Sequence, residues 1–94
     1  MTYFDWDEEK NQKLKKERDI SFEEIIDAMD KGQLLDVTDN PNKKYKGQKV
    51  FVVNLNDYIF LAPFVENEKG VFLKTIFPSR KATKKYLLKG ETKV

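Results

Sequence analysis

The stretch Ser79-Arg80-Lys81-Ala82-Thr83-Lys84-Lys85-Tyr86 gathers four cations directly after an apolar run that ends at Pro78. Serine is a favoured residue at helix N-caps, so the pattern predicts a helix opening at Ser79 with Arg80, Lys81, Lys84 and Lys85 in its first turns. Unbonded backbone amides beside several cations form a site for an anion such as phosphate. Basic residues at this end oppose the helix dipole, at a small cost in stability. The same run also describes a solvated basic helix, because runs of like charge commonly face water. At about 100° per residue, Ala82, Thr83, Tyr86 and Leu87 fall on one arc and the four cations on the other. Such a helix can pack on a sheet and still present its charges.

A second basic group, Lys43, Lys44, Lys46 and Lys49, leads into an apolar stretch and surrounds Tyr45. An antiparallel arrangement can bring the two groups to one end of a sheet. Tyr45 and Tyr58 are candidates for stacking on a base, with core packing the alternative for Tyr58. The charge is divided along the chain. Residues 1–39 carry twelve Asp/Glu against six Lys/Arg, and residues 40–94 carry four against twelve. A basic half of this kind suits a phosphate backbone or an acidic protein, or it is partly neutralised by the acidic half within the fold.

Cysteine and histidine are both missing from the 94 residues. Disulfides and thiolate metal sites are thereby excluded, and the commonest zinc ligand and general base are lacking. Gly-rich phosphate loops, metal-spaced ligand sets and nucleophile elbows do not occur in the sequence. The carboxylates sit at capping and surface positions, which argues against a paired-carboxylate hydrolase. Any catalysis falls to carboxylates, lysines, arginines, tyrosines or hydroxyls, with no cofactor implied.

The elements that must position these groups are those of one small α+β domain spanning 1–94. Asp5 as N-cap with Glu8 three residues on predicts a first helix from Trp6 to about Arg18, held by a narrow apolar stripe of Trp6 and Leu14. Ser21 and Glu24 form a capping box, with Ile20 and Ile25 as its hydrophobic staple. Phe22, Ile25, Ile26 and Met29 then form a core stripe, and Gly32 ends the helix. A short strand over 33–38, strands over 50–55 and 58–65, and a last strand over 71–77 predict an antiparallel meander of three to four strands. Asn56-Asp57 is the tightest turn, and Pro63 marks an edge or a bulge. Both faces of the middle strands are apolar. Either a homodimer or cognate partner covers the second face, or loops and the weak first helix do. No run is long and apolar enough to span a bilayer. The polar, acidic start leads us to expect a cytoplasmic protein.

Three segments in this order, Phe4-Asp5-Trp6-Asp7-Glu8-Glu9-Lys10-Asn11, Ile20-Ser21-Phe22-Glu23-Glu24 and Ser79-Arg80-Lys81-Ala82-Thr83-Lys84, resemble the BrnT family of bacterial type II toxins. The resemblance implies a RelE-like fold with two N-terminal helices, an antiparallel sheet and a C-terminal helix. It further implies metal-independent endoribonuclease activity that arrests translation, and neutralisation by an antitoxin whose ribbon-helix-helix portion binds operator DNA, in a homo-oligomer or heterotetramer. On this view Arg80 and Lys84 stabilise charge on the reacting phosphate. Lys49 holds a neighbouring phosphate or transfers a proton, and Lys43, Lys44, Lys46, Lys81, Thr83 and Arg18 bind RNA. The chain departs from the family at Glu17-Arg18-Asp19, where many members have Lys-His-Gly, and at Gln48-Lys49, where many have Glu-Arg. A catalytically weak or inactive binding module that acts as corepressor with its antitoxin is the alternative. So is a small interaction domain whose lysines serve solubility.

Overall fold

The computed structural model describes residues 3–40, 44 and 47–88. In chain order these form β1 (Phe4–Asp5), α1 (Glu8–Arg18), α2 (Phe22–Asp30), β2 (Leu34–Asp39), β3 (Lys49–Leu55), β4 (Tyr58–Asn67), β5 (Gly70–Leu73), β6 (Phe77–Pro78) and α3 (Arg80–Thr83), which runs on as a π-helical segment, Lys84–Leu88. The six strands make one sheet in the order β1-β5-β4-β3-β2, with β6 added against β4. The α+β class is as expected. The sheet has more strands than expected and is mixed, because β1 pairs parallel with β5, Phe4 opposite Val71. No described helix is long and apolar enough to cross a membrane.

The extra strand displaces the first helix. Asp7, not Asp5, is its N-cap and accepts from the Glu9 amide at 3.0 Å. Asp5 belongs to β1, where the Tyr3 carbonyl accepts from the Val71 amide at 2.8 Å. Gly70 makes this pairing possible. It has φ +141°, and a Cβ there would lie 2.2 Å from the Tyr3 oxygen. Trp6 then precedes α1 and stacks on Phe22 with ring centroids 5.8 Å apart.

Helix α2 opens as the capping box predicts: Ser21 Oγ accepts from the Glu24 amide at 3.2 Å. Phe22 and Ile25 are fully buried, and Gly32 follows with φ +87°. Together with Leu14 and Ile20 they cover one sheet face, made by Phe51, Val53, Ala62, Phe64, Val71 and Leu73. Phe51 and Phe64 stack across β3 and β4 at 3.9 Å. The β3–β4 hairpin turns on Asn56 and Asp57, with φ values of 55° and 63°. Two successive positive φ values are the requirement of a tight type I′ turn.

The last predicted strand is broken in two. β5 ends at Leu73, the chain crosses over 74–76, and β6 resumes pairing at Phe77, opposite Leu61. Arg18 holds the crossing by donating from Nη1 to the Ile76 carbonyl at 2.7 Å. The break explains Pro63, which stands in a central strand rather than at an edge. Its carbonyl accepts from the Lys74 amide at 2.8 Å, so its ring nitrogen faces the interruption, where no ladder bond is forfeited.

The second face is covered in part by the C-terminal helical segment, with Lys10 of α1 and the 74–76 crossing at its margin. Val50, Val52 and Ile59 are at most 4% exposed, so most of the apolar surplus of β3 and β4 is buried within the chain. Exposed apolar residues remain on β2, the outer strand, at Leu34, Leu35 and Val37.

Helix α1 is anchored less by its apolar stripe than by Asn11, which is fully buried. Its amide group donates to Glu23 Oε1 at 2.6 Å, and its Oδ1 accepts from the Phe22 amide at 2.8 Å. The Asn11 hydrogen bond is the largest cause holding the Glu23 carboxyl below its ordinary pKa. Asn11→Ala is expected to cost about 1–3 kcal/mol, since a buried amide loses its acceptor. A carboxyl lowered on folding stabilises above its unfolded pKa, near ~4.3, and that contribution disappears as pH falls through the folded value. Urea denaturation at neutral and acidic pH should therefore show the gap between wild type and Asn11→Ala narrowing on acidification.

Candidate functional site

Ile59, in β4, loses its strand partner where β6 gives way to α3, and α3 supplies a replacement. The Ser79 amide donates to the Ile59 carbonyl at 2.9 Å, and the Ile59 amide donates to Thr83 Oγ1 at 2.9 Å. Thr83 Oγ1 in turn donates to the Ser79 carbonyl at 2.7 Å, and Ser79 Oγ caps the helix by accepting from the Ala82 amide at 3.1 Å. Both backbone groups of a fully buried residue are thus satisfied by the first turn of α3. That turn cannot slide along the sheet without orphaning them.

The far end of the segment is tied to the edge strand. Tyr86 donates to Asp36 Oδ2 at 2.8 Å, and this bond to a carboxylate, more than burial, raises the phenol above its ordinary pKa. Asp36 can reach it because the register of β2 shifts between Leu34 and Asp36. Leu34 lies opposite Val53 on the α1/α2 face, and Asp36 lies opposite Val52 on the α3 face. A regular strand would place both residues on one face.

Beside α3 the sheet is hollowed into a groove of about 840 Å³, floored by Val50, Val52, Leu61 and Pro63 and flanked by Phe77, Ala82 and Tyr86. Lys10, Lys74, Lys81 and Lys85 line it, with Asp39 the one acidic residue among the lining groups. None of these lysines is ion-paired among the described residues. Lys85 lies over the Tyr86 ring and Lys74 over the Phe72 ring, each at 5.4 Å.

Of the residues singled out in the sequence, the structure brings only part together. Arg80, Lys81, Lys84 and Lys85 are exposed on α3 and its π-helical extension, on the basic arc expected. Lys81 and Lys85 turn toward the groove, and Arg80 and Lys84 stand outside its lining. At the start of α3 the Ala82 amide is taken by Ser79 Oγ and the Thr83 amide by the Ser79 carbonyl.

Three other residues singled out in the sequence have definite structural partners. Thr83 is 7% exposed and its hydroxyl is committed to Ile59 and Ser79, so it positions α3. Arg18 spends a guanidinium hydrogen on the Ile76 carbonyl and so braces the crossing. Lys49 shares the parity of Phe51 and Val53, so it lies on the α1/α2 face, 4.0 Å from Glu66. Val50 and Val52, under α3, point the other way. The sheet therefore separates Lys49 from Arg80. Lys44 is exposed, and Lys43, Tyr45 and Lys46 lie outside the described residues.

Sequence reasoning missed Lys10 and Lys74 as groove residues. Lys74 stands at a strand break and Lys10 on a helix with few apolar positions, so neither carried a periodic signal. Lys85 was legible, as the residue one helical turn beyond Lys81. Among the described residues no group of three or more carboxylates could hold a metal ion. The chain matches no protein-family model, no curated protein and no solved structure.

The lock can be tested without disturbing charge. Thr83→Val keeps shape but removes the acceptor for the Ile59 amide, at an expected cost of about 1–3 kcal/mol, whereas Thr83→Ser should retain most of the stability. Hydrogen exchange at the Ile59 amide should accelerate in the valine variant and stay protected in the serine variant.

Proposed function

We propose that this chain is a toxin of the BrnT type, with a RelE-like arrangement of its helices and sheet, that binds RNA through the cations of α3 and cleaves it without a metal. The observation that carries this reading is the display of Arg80, Lys81, Lys84 and Lys85 on one exposed segment, unpaired among the described residues and held in place by buried Thr83. Fixed cations aimed at developing charge stabilise a phosphoryl transition state with little reorganisation. In the proposed reaction the ribose 2′-hydroxyl gives its proton to solvent water and its oxygen bonds to the adjacent phosphorus. The bond from phosphorus to the 5′-oxygen breaks in line, and the 5′-oxygen takes a proton from water, leaving a 2′,3′-cyclic phosphate. Arg80 and Lys84 neutralise the charge that builds on the non-bridging oxygens. Lys81 and Lys85 hold flanking phosphates. Lys49, across the sheet, takes no part in this site. The partner proposed from the same resemblance is an antitoxin with a ribbon-helix-helix portion, with the pair at work in the cytoplasm.

One observation favours a second reading, in which the chain binds RNA or its antitoxin without cleaving. The separation of Lys49 from Arg80 leaves α3 with charge stabilisers but no neighbouring group assigned to take the 2′-hydroxyl proton. Incubation of the purified protein with RNA in EDTA separates the two. Cleavage that falls by about 10²-fold or more in Arg80→Ala, the loss typical of one transition-state donor, supports the nuclease. Salt-sensitive retention of intact RNA supports the binding module. RNA that is neither cut nor retained at low salt contradicts the nuclease and any RNA-binding role.

A further inference from the structure

We infer that the groove beside α3 docks an acidic protein segment that carries aliphatic anchor residues. Its floor is aliphatic, from Val50, Val52, Leu61 and Pro63, and four lysines face one aspartate around it. The charge complement of that ring is a run of Asp or Glu. The chemical complement of the floor is Leu or Ile rather than a nucleobase, because bases bind by stacking on aromatic platforms. The aromatic rings at the groove are Phe77 and Tyr86, and the Tyr86 hydroxyl is already tied to Asp36. Asp39 on the lining would also repel a phosphate. A groove of about 840 Å³ is within the size range of sites that enclose several side chains. Helix-in-groove recognition, with apolar anchors on one stripe and charges beside it, fits this combination.

The two lysines that α3 contributes to the ring, Lys81 and Lys85, also belong to its basic arc. A segment seated in the groove therefore covers half of that arc and competes with a polyanion for it. The docking inference does not depend on the chain cutting RNA. It concerns the floor and the ring, whereas the nuclease reading concerns Arg80 and Lys84.

The test uses the whole chain and a labelled synthetic helix with leucine at i, i+4 and i+7 and glutamate at most other positions. Two controls share its length, one with the leucines scrambled and one with lysine in place of glutamate. The acidic amphipathic helix is expected to bind, and each control to bind at least about tenfold more weakly, a difference of roughly 1.4 kcal/mol. Lys81→Glu combined with Lys85→Glu should weaken binding by about tenfold or more, and these exposed positions leave folding intact. Ala82→Glu, at the flank of the floor, should weaken it as well. Absence of binding overturns the inference. So does equal binding of the scrambled control, or a double variant that binds like wild type. A uridine oligonucleotide whose binding is weakened by Ala82→Glu while that of the peptide is unchanged makes the groove a nucleic-acid channel and also overturns it. Peptide binding by a chain that neither cleaves nor retains RNA upholds the docking site and rejects the proposed function alone.

Discussion

Two hydrogen bonds to one buried residue set the geometry on which everything else in the C-terminal half depends. Ile59 needs partners for its amide and its carbonyl at a place where β6 has ended, and Thr83 Oγ1 and the Ser79 amide are those partners. An unpaired buried backbone group costs about 1–3 kcal/mol, so the first turn of α3 has a fixed address on the sheet. The cations gain their positions from that address. Arg80, Lys81, Lys84 and Lys85 are long, mobile and exposed, but the backbone carrying them is pinned at Thr83 and again where Tyr86 meets Asp36.

The two faces of the sheet are covered differently. One face is a conventional core beneath α1 and α2, sealed by aromatic stacking and by the buried side chain of Asn11. The other is only partly roofed, because α3 and its π-helical extension together span nine residues, Arg80 to Leu88, and leave a lysine-rimmed groove alongside. Strand parity assigns Lys49 to the first face and the α3 cations to the second. Lys49 and the α3 cations, which look equivalent along the chain, thus lie on opposite faces.

Much of this was legible in the sequence, and the exceptions have definite causes. Ser21, Glu24, Gly32, Asn56-Asp57 and Ser79 announce their caps and turns through local chemistry, which the fold then obeys. The division of the last helix into a packing arc and a basic arc also holds, since Thr83 is buried and the four cations are exposed. What sequence could not show is non-local. β1 is two residues long and exists because Gly70 lets the Tyr3 carbonyl approach β5. Pro63 is tolerated mid-sheet because a neighbouring strand breaks opposite it. Thr83 carries the residue type of a phosphate ligand, but the missing partner of Ile59 claims its hydroxyl. Lys10 and Lys74 come to one groove only once the chain has folded.

The central claim of the proposed function is that RNA meets the α3 face and not Lys49. Backbone amide shifts recorded while a short single-stranded RNA is titrated into the isotope-labelled chain address it most directly. The account predicts shifts concentrated at 79–86 and none at Lys49 or Glu66. Shifts centred on Lys49 and Glu66, with the α3 amides unmoved, would contradict it.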